Sequence, residues 1–117
     1  MKVGITFSSF ELLHVSDVKM LDEVKKNCDF LIVGLQLNTM NDRTEINVNS
    51  QSIIEKYIQL KDSKYVDEII PYFSDQDIDD IMRSFKLDVR IIVKKYESID
   101  FKGKKYCLKK GIEIITI

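Results

Sequence analysis

The chain has 117 residues, with 18 lysines and arginines against 19 aspartates and glutamates, and a formal net charge of −1. A composition of 44% hydrophobic and 32% charged residues is typical of one folded domain spanning residues 1–117. The near-neutral balance argues against a nucleic-acid partner. No apolar run reaches the roughly 20 residues of a membrane span, and the N-terminus lacks a signal-peptide core. We therefore expect a cytoplasmic protein with no membrane partner.

The first elements in the chain predict a strand, a helix and a strand. Val3–Phe7 is a β-branched run and Phe30–Leu35 is continuously apolar, as expected of strands buried on both faces. Between them Ser16 is the predicted N-cap of a helix, with Asp17 in its first turn. The inner face of this helix is predicted to carry Val18, Leu21, Val24 and Cys28. This order favours a crossover that packs the helix on a parallel sheet.

The alternation then continues after a polar loop at Gln36–Asn49. Ser50 is the predicted cap of a second helix, and a strand at Val66–Ile70 is predicted to end at Pro71. The predicted inward residues of that helix are Ile53, Ile54, Tyr57, Ile58 and Leu60.

The last third of the chain predicts two more helices and two more strands. Ser74 opens a helix whose predicted core stripe is Ile78, Ile81, Met82 and Phe85. A strand at Val89–Val93, a short helix at Lys102–Lys110 ended by Gly111, and a strand at Ile112–Ile117 follow. The whole pattern predicts an α/β fold: a three-layer, Rossmann-like, doubly wound parallel sheet of about five strands.

In such sheets, ligands bind outside the carboxyl ends of the strands where the strand order reverses. Phe7–Asp17 (FSSFELLHVSD) follows the first strand and leads into the first helix, whose N-terminus favours anions. It contains His14, the only histidine of the chain. On residue type alone, His14 is either a capping or packing residue or an anion ligand.

Three segments of the chain resemble the glycerol-3-phosphate cytidylyltransferases of the nucleotidyltransferase superfamily. Phe10–Asp17 (FELLHVSD) is similar to their signature, in which Gly-Thr-Phe-Asp-Leu-Leu-His is followed by an aromatic residue, Gly and a second His. Cys28–Val33 (CDFLIV) matches their second strand, and Lys64–Pro71 (KYVDEIIP) resembles Arg-Tyr-Val-Asp-Glu-Val-Ile-Pro. The resemblance spans nearly the whole chain. It implies a homodimer that transfers CMP from CTP to a small phosphorylated alcohol such as glycerol 3-phosphate.

The resemblance also assigns roles to single residues. His14 takes the place of the first histidine of the motif and would be catalytic if the protein is active. Ser8 and Ser9 take the places of the motif glycine and threonine, and Lys56 that of a helical arginine. The implied candidates for binding nucleotide or phosphate are Thr6, Ser8, Ser9, Phe10, His14, Lys56 and Lys94. No cofactor is required, and Mg²⁺ would accompany the nucleotide in an active enzyme.

Several departures from the motif are predicted to disrupt this site. Ser16 and Asp17 replace the second glycine and the second histidine, so that a carboxylate stands where a cation should meet polyphosphate. Glu45 and Asn47 replace substrate-binding lysines, and Val93–Tyr96 (VKKY) replaces Gly-Asp-Asp-Trp. The closing triphosphate-binding segment of the family would begin after Ile117. These changes favour an impaired protein that binds nucleotide or serves a structural role; the alternative is an active nucleotidyltransferase with a rebuilt site.

The remaining charged residues and cysteines have simpler interpretations. Asp75, Asp77, Asp79 and Asp80 begin a helix, where carboxylates complement the dipole, so we expect no metal site. Cys28 and Cys107 are predicted to be buried thiols. We expect a solvated basic edge at Lys94, Lys95, Lys102, Lys104, Lys105, Lys109 and Lys110.

Overall fold

The structure is a computed structural model that describes residues 1–8, 15–37, 53–92 and 103–117. The strands in these ranges are β1 (Val3–Ser8), β2 (Phe30–Gln36), β3 (Glu68–Tyr72), β4 (Val89–Ile92) and β5 (Glu113–Thr116). The helices in these ranges are α1 (Val15–Lys25), α2 (Ile53–Asp62), α3 (Asp75–Ser84) and α4 (Lys104–Lys110). The predicted alternation of strands and helices is thereby confirmed.

The strands form a parallel sheet in the order β3-β2-β1-β4-β5. After β1, the chain adds β2 and β3 on one side and then returns to add β4 and β5 on the other. The strand order therefore reverses between β1 and β4, where Ile5 lies opposite Arg90. This is the predicted doubly wound, Rossmann-like sheet, and its switch point lies at the carboxyl ends of β1 and β4.

Two apolar cores separate the sheet from its two helical layers. The first lies under α1 and α2 and consists of Leu21, Val24, Leu31, Val33, Leu35, Leu60, Val89 and Ile91. The second lies under α3 and α4 and consists of Ile5, Ile32, Tyr72, Ile78, Met82, Leu87, Cys107 and Ile112. Alternate residues of β2 enter opposite cores, because successive side chains of a strand point to opposite faces. The sheet and the two helical layers that cover its faces form the three predicted layers.

Aspartates placed just before three strands hold the amino-terminal edge of the sheet. Asp29 Oδ2 accepts a hydrogen bond from the backbone N–H of Lys2 at 2.7 Å, and Asp88 Oδ2 accepts one from Val3 at 2.8 Å. Asp67 Oδ2 accepts one from the N–H of Leu31 at 2.8 Å and is paired with Lys25. Each carboxylate thus satisfies an N–H of the neighbouring strand and fixes the register of the pair.

Local signals at the helix ends also match the sequence. Ser74 is the N-cap of α3: its Oγ accepts from the N–H of Asp77 at 3.4 Å, and Asp77 Oδ2 accepts from the N–H of Ser74 at 3.1 Å. Gly111 ends α4 in a left-handed conformation, with φ of 70°. Both positions confirm the prediction, since the chemistry of a cap is local.

Four predictions about α1, β3 and α3 are wrong. Because α1 spans Val15–Lys25, Ser16 is a helical residue and not the N-cap, and Cys28 lies beyond the end of the helix. β3 does not end at Pro71 but continues to Tyr72, because β3 is an edge strand and a proline there loses no ladder bond on its open side. Phe85 is the C-cap of α3 and is 37% exposed, so it lies outside the core.

The predicted inner face of α2 is the largest error. Leu60 is fully buried, as predicted, but Ile54, Tyr57 and Ile58 are 72%, 40% and 52% exposed. The predicted cap Ser50 and the ends of two predicted elements, Val93 and Lys102, lie outside the described residues. None of the helices in the described ranges combines the length and apolarity of a membrane span.

Candidate functional site

The candidate site lies at the carboxyl ends of β1 and β4. β1 ends at Ser8 and α1 begins at Val15, so residues 9–14 connect the switch point to that helix. Of the predicted site residues, Ser9, Phe10, His14 and Lys94 lie outside the described part of the chain. Their roles stay predictions. In sequence the motif directly follows the last residue of β1, and ligands of doubly wound sheets bind outside the carboxyl ends of the strands.

The backbone places four further candidates near that edge or on a flanking helix. Ser8 is the last residue of β1, and Ser16 and Asp17 are the second and third residues of α1. Lys56 is the fourth residue of α2. The side chains of these four residues are outside the described part of the structure. Asp17 therefore lies in the first turn of α1, where the free N–H groups and the dipole favour a negative charge.

Thr6 is the one predicted binding residue whose side chain is fully described. It is 1% exposed and lies opposite Val33 of β2. Since Ile5 belongs to the core under α3 and α4, Thr6 points to the other face of the sheet. The Thr6 side chain is thus buried on the α1/α2 face of the sheet.

A row of three side chains crosses the carboxyl-terminal half of the sheet on the α3/α4 face. The ring of Phe7 packs edge-on against Tyr72, with 5.5 Å between the ring centroids and an angle of 89°. The guanidinium carbon of Arg90 lies 4.6 Å from the centroid of the same Phe7 ring. The same ring covers Gly34 of β2, the strand between β1 and β3. A Cβ on Gly34 would lie only 2.3 Å from Phe7 Cδ1. Gly34 is therefore required for the ring to lie flat across β2.

Arg90 is the functional candidate that the sequence reasoning did not single out. It is 4% exposed, although it occupies the middle of a four-residue strand whose other residues are apolar. Burial lowers the pKa of Arg90 to about 10, and its neighbours Cys107 and Tyr72 act in the opposite direction. The side chain therefore remains a cation at neutral pH. An arginine inside a continuous apolar run is the sequence feature that could have identified Arg90.

The two titratable neighbours of Arg90 are neutral near pH 7. Burial raises the pKa of Tyr72 to about 12, against an opposing effect of the Arg90 charge. Burial also raises the pKa of the Cys107 thiol, again opposed by Arg90. The guanidinium is thus the charged member of this group of three.

The described residues bring together no group of three His, Cys, Asp or Glu side chains suited to a metal ion. Of the acids that begin α3, Asp77 is engaged by the backbone N–H groups of Phe73 and Ser74, and these bonds lower the pKa of its carboxyl. Magnesium remains an expectation tied to bound nucleotide.

Comparison with known proteins gives the chain its relatives. No protein-family model matches it. It is 33% identical to a glycerol-3-phosphate cytidylyltransferase of Bacillus spizizenii, over all of this chain and 86% of that protein. It is 30% identical to the glycerol-3-phosphate cytidylyltransferase of Bacillus subtilis over the same shares, and 26% identical to that of Staphylococcus aureus, over all of this chain and 84% of that protein.

A solved structure supports the fold independently. The lipopolysaccharide core biosynthesis protein of Thermoplasma volcanium superposes with a TM-score of 0.75, over all of this chain and 96% of that one, at 21% identity. The identity and coverage of the Bacillus relatives confirm the resemblance noted in the sequence. The chain belongs to the glycerol-3-phosphate cytidylyltransferase family.

Proposed function

We propose that this chain is a cytidylyltransferase-like protein with impaired catalysis, which binds a cytidine nucleotide at the carboxyl ends of β1 and β4. The single observation that carries the proposal is Asp17 in the first turn of α1, at the position where the family motif has its second histidine. The fold that presents such a site is intact, with its switch point between β1 and β4.

The charge at residue 17 decides how tightly polyphosphate is held. A cation there attracts a phosphate oxygen, whereas a carboxylate repels it. At roughly 4 Å, one pair of unit charges interacts by about 1 kcal/mol in water and about 4 kcal/mol at the effective dielectric near a protein surface. Exchanging a histidinium for an aspartate reverses the sign of that interaction. We therefore expect at least a tenfold loss of affinity for triphosphate, since about 1.4 kcal/mol is a factor of ten.

Further departures act in the same direction. Glu45 stands where the family has a substrate-binding lysine, and Lys94 and Lys95 stand where it has two aspartates near the base and ribose. Phosphoryl and nucleotidyl transfer depend mainly on positioning and on stabilising charge at phosphate oxygens. Groups that act together in this way lose most of their effect when one of them is removed. Turnover should therefore suffer more than binding.

The second candidate function is an active transferase that moves CMP from CTP to a small phosphorylated alcohol such as glycerol 3-phosphate. His14 and Phe10 keep the residue types of the motif, which favours this candidate. In that case His14 would donate a hydrogen bond to a phosphate oxygen as pyrophosphate leaves, and Lys56 would contribute a point charge in place of a planar guanidinium. A homodimer, which the family resemblance implies, and a cytoplasmic location complete the proposal.

The deciding experiment combines calorimetric titration of CTP with an assay of pyrophosphate release. The variant Ser16→Gly with Asp17→His restores the motif, and Asp22→His, which makes the same charge change on the exposed part of α1, is the matched control. We expect weak CTP binding by the wild type, a gain of about tenfold or more in the restored variant, and none in the control.

Two results would contradict the proposed impaired, nucleotide-binding function. Pyrophosphate release by the wild type with glycerol 3-phosphate, abolished in His14→Ala, would establish the active transferase. Absence of CTP binding at millimolar concentration in both the wild type and the restored variant would leave a structural protein.

A further inference from the structure

We draw no further inference here: the strongest candidate, the exposed apolar stripe of Ile54, Tyr57 and Ile58 on α2, carries none, because nothing in the part of the chain that the structure describes shows what covers it.

Discussion

The contact between Phe7 and Gly34 allows a stability prediction whose sign depends on one aromatic ring. In Gly34→Ala, the new Cβ would lie 2.3 Å from Cδ1 and 2.7 Å from Cε1 of Phe7. An ordinary carbon contact begins near about 3.5 Å, so the overlap exceeds about 1 Å. The backbone of Gly34 is paired on both sides, to Phe7 and to Ile70, so the ring must move.

The cost follows from what the ring loses when it moves. Its edge-on contact with Tyr72 is worth about 0.5 to 1.5 kcal/mol, and its contact with the Arg90 guanidinium about 0.5 to 2 kcal/mol. We therefore expect Gly34→Ala to destabilise the protein by about 1 to 3 kcal/mol, within the usual range for overpacking. With Phe7→Ala in place the overlap is gone, and the same substitution should stabilise by about 0.5 to 1 kcal/mol, because alanine costs less entropy than glycine in a strand.

Urea denaturation of the wild type, the two single variants and the double variant measures this cycle. The coupling free energy should be at least about 1.5 kcal/mol. Gly111→Ala is the matched control, because a Cβ at Gly111 would meet nothing within 4 Å. Its cost of about 1 to 2 kcal/mol comes from the left-handed backbone. That cost should therefore be the same with Phe7 and with Phe7→Ala. An equal cost of Gly34→Ala with and without the Phe7 ring would refute the packing argument.

Two further predictions concern stability elsewhere in the fold. Burial raises the pKa of the Asp67 carboxyl, but the bonds from Lys25 and from the N–H of Leu31 outweigh it, so the pKa lies below its ordinary value. The resulting stability is present above the unfolded pKa near 3.8 and is lost as the pH falls through the folded value. Asp67→Asn should therefore cost about 1 kcal/mol at pH 7, and the cost should shrink as the pH falls through the folded pKa. Denaturant titrations at several pH values measure this, and a cost that does not change with pH would contradict the charge argument. On α2, Leu60→Ala should destabilise the protein by about 2 to 5 kcal/mol, because Leu60 is fully buried. Ile58→Ala should cost about 0.5 kcal/mol or less, because Ile58 is 52% exposed. Thermal unfolding of the two variants checks this, and similar losses of stability would mean that Ile58 is covered in solution.

The sequence predicted the fold because several local signals agreed. The apolar runs at β1, β2 and β4, the capping box at Ser74 and the left-handed Gly111 each specify one element without reference to the rest of the chain. Alternation of strand and helix then leaves few topologies open, since the crossovers are right-handed. These constraints predicted a doubly wound parallel sheet, and the structure supplies the strand order.

The inner face of α2 was predicted wrongly because its apolar residues do not form a single stripe. Leu60 follows Ile54 by six residues, which places the two side chains about 120° apart around the helix. Apolar residues therefore occupy two stripes, one with Leu60 and one with Ile54, Tyr57 and Ile58. Periodicity alone does not decide which stripe meets the sheet, because that depends on how the helix lies on its neighbours. In the structure, the sheet side is that of Leu60.

The switch point of the sheet was predictable from the sequence, whereas the contacts of Arg90 beside it were not. The motif after β1 marked the switch point, because a family signature and the topology coincide there. Arg90 was missed because a lone arginine in an apolar strand has no periodic signature, and its contacts with Phe7, Met82 and Gly103 join residues that are distant in the sequence. Only the fold brings these residues together.

The amino-terminal and carboxyl-terminal edges of the sheet differ in how closely their residues match the family pattern. Asp29 and Asp67 lie in segments that match the family, and together with Asp88 they accept hydrogen bonds from backbone N–H groups at the amino-terminal edge of the sheet. The departures, Ser16 and Asp17 above all, lie at the carboxyl edge, where a nucleotide would bind. The aspartates that pair the strands at one edge thus stand apart from the motif departures, which lie at the other edge where α1 begins.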